Sequence, residues 1–249
     1  MLTDFHCHLD LLTDLEDKLE RAKKAGIGRF VTSALSEESV EKSFRLAEKF
    51  PEILVTIGLD ANNPKEVGNF EARLDLIRQN KGKIAGIGEI GLDFLKADDS
   101  EKEKQRIVFQ AGISLAEELG LPLTIHSRSA GKYALAELEK SGFPGKILMH
   151  AFDGRPFYAS EAIKKNKNLF FSIPPSIVRS PQKQELVKAL PIERLLLESD
   201  APSLGPIPIE ENEPANISLT IGKISEIRGI SQGDLVKAIE ENERNFLNQ

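Results

Sequence analysis

Short apolar runs alternate with longer segments of helical period along nearly the whole chain, the pattern of repeated strand–helix units and a parallel sheet. Eight runs read as strands, at 2–7, 28–34, 53–58, 83–88, 122–126, 146–150, 169–173 and 194–199. The stretches between them read as helices at 12–25, 36–50, 64–80, 101–119, 130–141, 156–166 and 180–190, and the chain finishes in further helices. Ser36, Asn63 before Pro64, and Ser180 before Pro181 supply helix starts. A short polar side chain there accepts from an amide that the first turn leaves free, and proline is already set to a helical φ. Gly26, Gly120 and Gly142 supply stops. Segment 201–216 holds Pro202, Pro206, Pro208 and Pro214, so it is expected to loop irregularly over the end of the last strand.

Eight such units in 249 residues fit an α/β fold of one (β/α)8 barrel, a TIM barrel, spanning 1–249 as a single domain. No repeat, low-complexity tract or composition break marks a linker. A barrel of this kind gathers its reacting groups at the carboxyl ends of the strands. All four histidines fall there: His6 and His8 close LTDFHCH, His126 closes LPLTIH and His150 closes KILMH. Alternate strand residues share a face, so His6 and His8 can grip one ion. Glu89 ends IAGIGE and Asp200 ends RLLLESD, adding two carboxylates to the four imidazoles. A mixed set of this kind suits transition metal ions.

Composition narrows the picture. Hydrophobic residues make up 40% and charged residues 29%, as in globular proteins, and no apolar stretch reaches membrane-spanning length. The opening MLTDFHCHLD lacks the pattern of a secretory signal, and a lone cysteine, Cys7, excludes an internal disulfide, so a cytoplasmic protein is expected. Cys7 should oppose His6 and His8 on the strand as a small buried filler. With 33 Lys plus Arg against 39 Asp plus Glu, the net charge of −6 argues against a broad basic groove along duplex nucleic acid. Mixed-charge stretches such as DDSEKEKQR read as solvated helix faces.

Six segments together resemble one known family: DFHCHLD at 4–10, GEIGLDF at 88–94, LPLTIHSR at 121–128, MHAFDG at 149–154, LLLESDAP at 195–202 and NEPANI at 212–217. In this order and spacing the chain is similar to the TatD-related metal-dependent hydrolases, within the amidohydrolase-like barrels. The resemblance implies two divalent metal ions, with Zn, Mn and Mg left open. His6, His8, Glu89 and Asp200 would hold one, and Glu89 would bridge to a second held by His126 and His150. Such a pair clamps both oxygens of an in-line displacement and generates a metal-bound hydroxide near neutral pH. Asp200 would also shuttle the proton, so Asp200 and Glu89 are the groups expected at the reacting atoms.

The activity implied is that of a TatD-type deoxyribonuclease, a phosphodiesterase acting on DNA ends or single strands. A hydrolase of a small anionic amide, ester or lactone is the alternative, and a non-catalytic metal-binding protein comes third. Arg128, two residues past His126, and Arg155, after strand six, are expected to clamp an anionic oxygen. Glu198 could orient a ligand histidine; Asp93 is read chiefly as a fixer of its own loop, and Asn212 and Glu213 as ties for 201–216. Gly86, Gly88 and Gly91 are expected to let the backbone crowd the site. Two departures stand out: GLDAN at 58–62 places Asp60 where family members often carry histidine in GxHP, and HAFDG places Asp153 where HCFSG is common. Both add negative charge near the mouth and would repel a polyanion. Oligomeric state is left open.

Overall fold

The structure, a computed structural model, describes residues 1–63 and 67–247. Eight parallel strands pair in chain order: β1 (Leu2–Cys7), β2 (Ile27–Ala34), β3 (Ile53–Ile57), β4 (Gly86–Gly91), β5 (Leu123–His126), β6 (Ile147–Met149), β7 (Leu169–Ile173) and β8 (Leu195–Leu197). Helices α1 (Leu15–Lys24), α2 (Glu37–Lys49), α3 (Phe70–Gln79), α4 (Asp99–Leu119), α5 (Gly131–Ser141), α6 (Pro156–Lys165) and α7 (Pro181–Ala189) alternate with them, and α8 (Ile217–Arg228) and α9 (Gln232–Leu247) follow. The expected barrel is thus observed. None of the described helices is long and apolar enough to cross a membrane.

Helix starts follow the capping signals. Ser36 Oγ accepts from the Ser39 amide at 3.1 Å and Ser180 Oγ from the Lys183 amide at 3.3 Å. Asp98 and Glu101 exchange side-chain and backbone hydrogen bonds, each of 2.9 Å, and so start α4 earlier than the apolar period alone suggested. The expected helix over 64–80 is described as α3 from Phe70, and Pro64 lies outside the described residues.

The larger correction is β4, expected at 83–88 and observed three residues later. Lys81–Lys83 form a short 3-10 turn instead, and the glycine-rich GIGEIG, which looks like a strand's exit, is the strand itself. Glu89 therefore sits within β4 rather than after it. Glycine is required there: Gly91 adopts φ +150°, and a Cβ on it would stand 2.1 Å from the His126 carbonyl oxygen. The expected crowding of backbone around the site is what its glycines permit.

Closure between β8 and β1 lies just past β8. The Asp200 amide donates to the His6 carbonyl at 2.9 Å and the His8 amide to the Ala201 carbonyl at 2.8 Å. Below them the buried Asp4 carboxyl accepts from the Ser199 amide at 2.8 Å and from Ser199 Oγ at 2.5 Å. Burial pushes the Asp4 carboxyl up to about 7, against the Ser199 hydrogen bonds. In the same region β1 slips register against β2 between Asp4 and Cys7. Cys7 is buried on the helix side, as expected, while Phe5 packs inside with Leu148, Phe170 and Leu196. Phe246 of α9 completes that inner cluster, its ring edge-on to Phe5 and Phe170 at 5.4 Å each. The 201–216 loop is tied down as expected: Asn212 Nδ2 donates to the Ser199 and Ser203 carbonyls at 2.6 and 2.7 Å, and Glu213 receives Arg21 of α1 at 3.0 Å.

Candidate metal centre

The barrel brings His6 and His8 of the β1 end, Glu89 of β4, His126 of β5, His150 after β6 and Asp200 after β8 to one mouth. Glu89 is the hub. Its Oε2 lies 2.6 Å from His150 Nε2, 3.2 Å from His126 Nδ1 and 3.5 Å from His6 Nε2, and its Oε1 lies 3.9 Å from His8 Nε2. Asp200 Oδ1 lies 3.5 Å from His6 Nε2 and 3.7 Å from His8 Nε2. Two sets have donor atoms within 4.8 Å of one another, His6–His8–Asp200 and His6–Glu89–His150. The Glu89 amide donates to Ser33 Oγ at 2.5 Å, which fixes the hub from β2.

His6 is fully buried, and neither of its ring nitrogens has a hydrogen-bond partner among the described residues. A buried polar group without a partner is costly, so this imidazole demands an occupant. The spacing suits a cation: two ligands each about 2.1 Å from one ion, at a tetrahedral angle, stand about 3.4 Å apart. The donor set of imidazoles and carboxylates therefore fits a divalent metal.

The histidines differ in charge. Burial and the neighbouring imidazole of His150 hold His6 well below the ordinary histidine value, so it is neutral and able to ligate. Burial works the same way on His126, but the Glu89 charge and hydrogen bonds to Asp93 and Glu89 outweigh it and push its imidazolium up to about 10. For Glu89, burial favours the neutral acid, yet His150 and His126 together hold the carboxyl well below its usual range. Asp200 is shifted upward by burial.

Each half of the centre has its own support. His8 Nδ1 meets the Ser33 carbonyl oxygen at 3.0 Å, which leaves Nε2 for the site. His126 Nε2 lies 3.1 Å from Asp93 Oδ2, and the same oxygen accepts from Arg128 Nε at 2.6 Å and Asn62 Nδ2 at 2.7 Å. Asp93 also accepts from the Leu95 amide at 3.1 Å, so loop fixing is only part of what it does. Glu198 stands 3.7 Å from His150 Nδ1, too far for a hydrogen bond. Its oxygens take the Ala151 amide at 2.8 Å and Ser172 Oγ at 2.5 Å, so it fixes the residue after His150. Ala151 holds a left-handed φ of +38°, and Lys183 Nζ grips its carbonyl at 2.8 Å and that of Phe152 at 2.7 Å.

Lys183 is the residue the sequence reading missed. It is buried, and burial lowers its ammonium to about 8. Its signal was a lysine three and four positions before the buried Leu186 and Val187, on the helix face that packs inward. A cavity of about 400 Å³ opens above the centre, lined in part by Arg128, Asp153, Arg179, Gln182 and Lys183. Arg155, expected beside Arg128, is exposed at the start of α6 and does not line this cavity. Asp153 does line it, with Oδ2 turned to the Ser129 amide at 2.7 Å, whereas Asp60 lies outside and caps its own loop through the Asn62 amide at 2.8 Å.

Comparison with known proteins agrees with this architecture. The family model described as "TatD related DNase" matches residues 3–248. The human protein named "Deoxyribonuclease TATDN3" is 40% identical, over 97% of this chain and 92% of its own length. A Bacillus subtilis protein named as the metal-dependent hydrolase YabD is 32% identical, over 97% of each chain. The crystal structure of YjjV, a TatD homolog from Escherichia coli, superposes with a TM-score of 0.90 at 25% identity, covering 100% of this chain and 98% of that one.

Proposed function

The chain belongs to the TatD-related DNase family, and from that membership we propose that it is a two-metal phosphodiesterase cutting DNA at ends or in single strands. The observation that carries the metal reading is His6, buried and unpartnered between the Glu89 and Asp200 carboxylates. His6, His8, Glu89 and Asp200 would hold one divalent ion, and Glu89, His126 and His150 the other. Zinc and manganese match the imidazole content, and magnesium is the third ion to assay. When bound, the ions supply Lewis acidity toward the phosphoryl oxygens and ionise a water near neutral pH.

The chain's own side chains supply the rest. Asp200 shares Oδ1 with His6 and His8 and takes the proton of the attacking water at Oδ2. It returns that proton to the leaving alkoxide as the phosphorus–oxygen bond breaks. Arg128 keeps Nε on Asp93 and turns its remaining guanidinium nitrogens to the phosphate. Lys183 and Glu198 hold the His150–Ala151 corner still, so that His150 Nε2 stays on Glu89. The reading treats 1–249 as one functional unit in the cytoplasm, a setting supported by the buried free thiol of Cys7. The phosphodiester reading stands ahead of the amide or lactone one because a relative covering nearly the whole chain is named a deoxyribonuclease.

The test is hydrolysis of single-stranded DNA and of bis(p-nitrophenyl) phosphate by protein loaded in turn with Zn, Mn and Mg. Cleavage of both is expected, with a loss of about 10²–10⁴-fold in Asp200→Asn. Absence of phosphodiester cleavage with every ion, or an unimpaired Asp200→Asn variant, overturns the reading.

A further inference from the structure

A second cavity, of about 500 Å³, adjoins the metal cavity, and Arg128 lines both. It is lined by Ala61, Asn62, Val67 and Gly68 after β3, by the loop after β4 and by the first turns of α4. Leu95, half exposed, gives it an apolar wall, and Lys96 and Lys104 stand on its rim. Exposed lysines such as Lys42, Lys165 and Lys188 pair with Glu38, Glu139 and Glu185, while Lys81, Lys140 and Lys167 carry no ion pair among the described residues. Lys96 and Lys104 have no ion pair or hydrogen bond among the described residues, although the chain carries a net charge of −6. Glu101, the carboxylate on the cavity wall, is committed to the Asp98 amide at 2.9 Å.

An apolar wall beside unpaired cations is the chemistry of a nucleotide site, with the base against the wall and the phosphate on the rim. The side chains at its floor also reach the metal centre. Asn62 Nδ2 and Arg128 Nε both donate to Asp93 Oδ2, which holds His126, and Gln105 Oε1 accepts from the Asp93 amide at 2.8 Å. Resting on the phosphodiesterase reading, we propose that this cavity is a subsite for the nucleotide adjoining the cleaved phosphate of a single-stranded chain. The strand crosses Arg128 on its way from the metal centre. Its occupant is nucleic acid because Arg128 lines both cavities and the two lysines on the rim of the second have no carboxylate partner among the described residues.

The experiment measures binding of a fluorescein-labelled thymidine hexanucleotide to the intact protein by anisotropy, across a range of salt. Lys96→Glu with Lys104→Glu is expected to weaken binding at least tenfold at 50 mM salt. The slope of log affinity against log salt should fall by about 1.4, the equivalent of two phosphate contacts. Lys96→Gln with Lys104→Gln, which keeps the aliphatic stems, should lower the slope by the same amount with a smaller loss of affinity. Hydrolysis of bis(p-nitrophenyl) phosphate, which has no neighbouring nucleotide, should stay within twofold of the unmodified protein in both variants. Unchanged binding in both variants overturns the subsite while leaving the phosphodiesterase reading intact. An equal loss of activity on bis(p-nitrophenyl) phosphate also overturns it, since the lysines would then serve the metal centre itself. Should the protein cleave no phosphodiester at all, anisotropy still decides the subsite, and an absence of hexanucleotide binding ends it.

Discussion

The two halves of the candidate metal centre are built by different means. The half at the β1–β8 seam owes its geometry to the main chain. The His6 carbonyl accepts from the Asp200 amide, the His8 amide donates to the Ala201 carbonyl, and the His8 ring is oriented by the Ser33 carbonyl. The half at β5 and β6 is held by charged side chains. Asp93 orients His126 and ties in Arg128, while Glu198 holds the Ala151 amide and Lys183 the Ala151 carbonyl just after His150. The charge of His6 is set by burial and by the imidazole of His150, whereas His126 is in contact with the Asp93 and Glu89 carboxylates. Hence His6 is depressed and His126 elevated to about 10, within one cluster of imidazoles.

The sharpest way to separate the halves is through Asp4, beneath the seam. Its carboxyl is raised from 3.8 to about 7 by burial. Below the unfolded value both states are protonated and its contribution is complete; as pH climbs toward 7 the unfolded chain loses the proton first, so stability falls. Asp4→Asn removes that decline while keeping an acceptor for the Ser199 amide. Urea unfolding of chelator-treated protein should show the variant gaining about 3 kcal/mol on the parent between pH 5 and pH 8. Parallel pH curves would mean that the seam holds a charged Asp4 after all, and the contrast between the halves would lose its electrostatic basis.

Asp93→Asn probes the other half, with a smaller effect. The amide can still accept from Arg128 but no longer offers His126 a charge, and outer partners of this kind contribute about 10–100-fold to metal affinity. Calorimetric titration with zinc should show one weakened step and one unchanged. Equal weakening of both steps would show that the halves act as one unit through Glu89.

The same contrast explains what was legible. A histidine pair on a strand end and carboxylates at other strand ends are one-dimensional features, because closing a barrel brings every strand end to one mouth. The supporting residues are not. Asp93 does loop fixing, as GLDF suggested, but its second oxygen meets His126 from a neighbouring strand, which no local pattern encodes. Lys183, in SPQKQEL, stands at no strand end and reaches the site because helix packing buries it. The position of β4 was misjudged because three glycines imitate a loop, whereas here they admit the backbone of β5.

The smallest expected effect concerns the two arginines, Arg128 and Arg155. Both follow a histidine of the candidate centre by a few residues, and both present a guanidinium on a loop. Arg128 is anchored by Asp93 and lines both cavities, so its position is inherited from the carboxylate that holds His126. Arg155 begins α6 in solvent and lines neither. Its substitution removes a screened surface charge, an effect within about 0.5 kcal/mol, so Arg155→Ala should leave KM for single-stranded DNA within about twofold. Arg128→Ala in the same assay should raise KM well beyond that. A comparable rise in Arg155→Ala would place the path of the strand over β6 instead of β5, and would move substrate recognition away from the half of the centre that Asp93 organises.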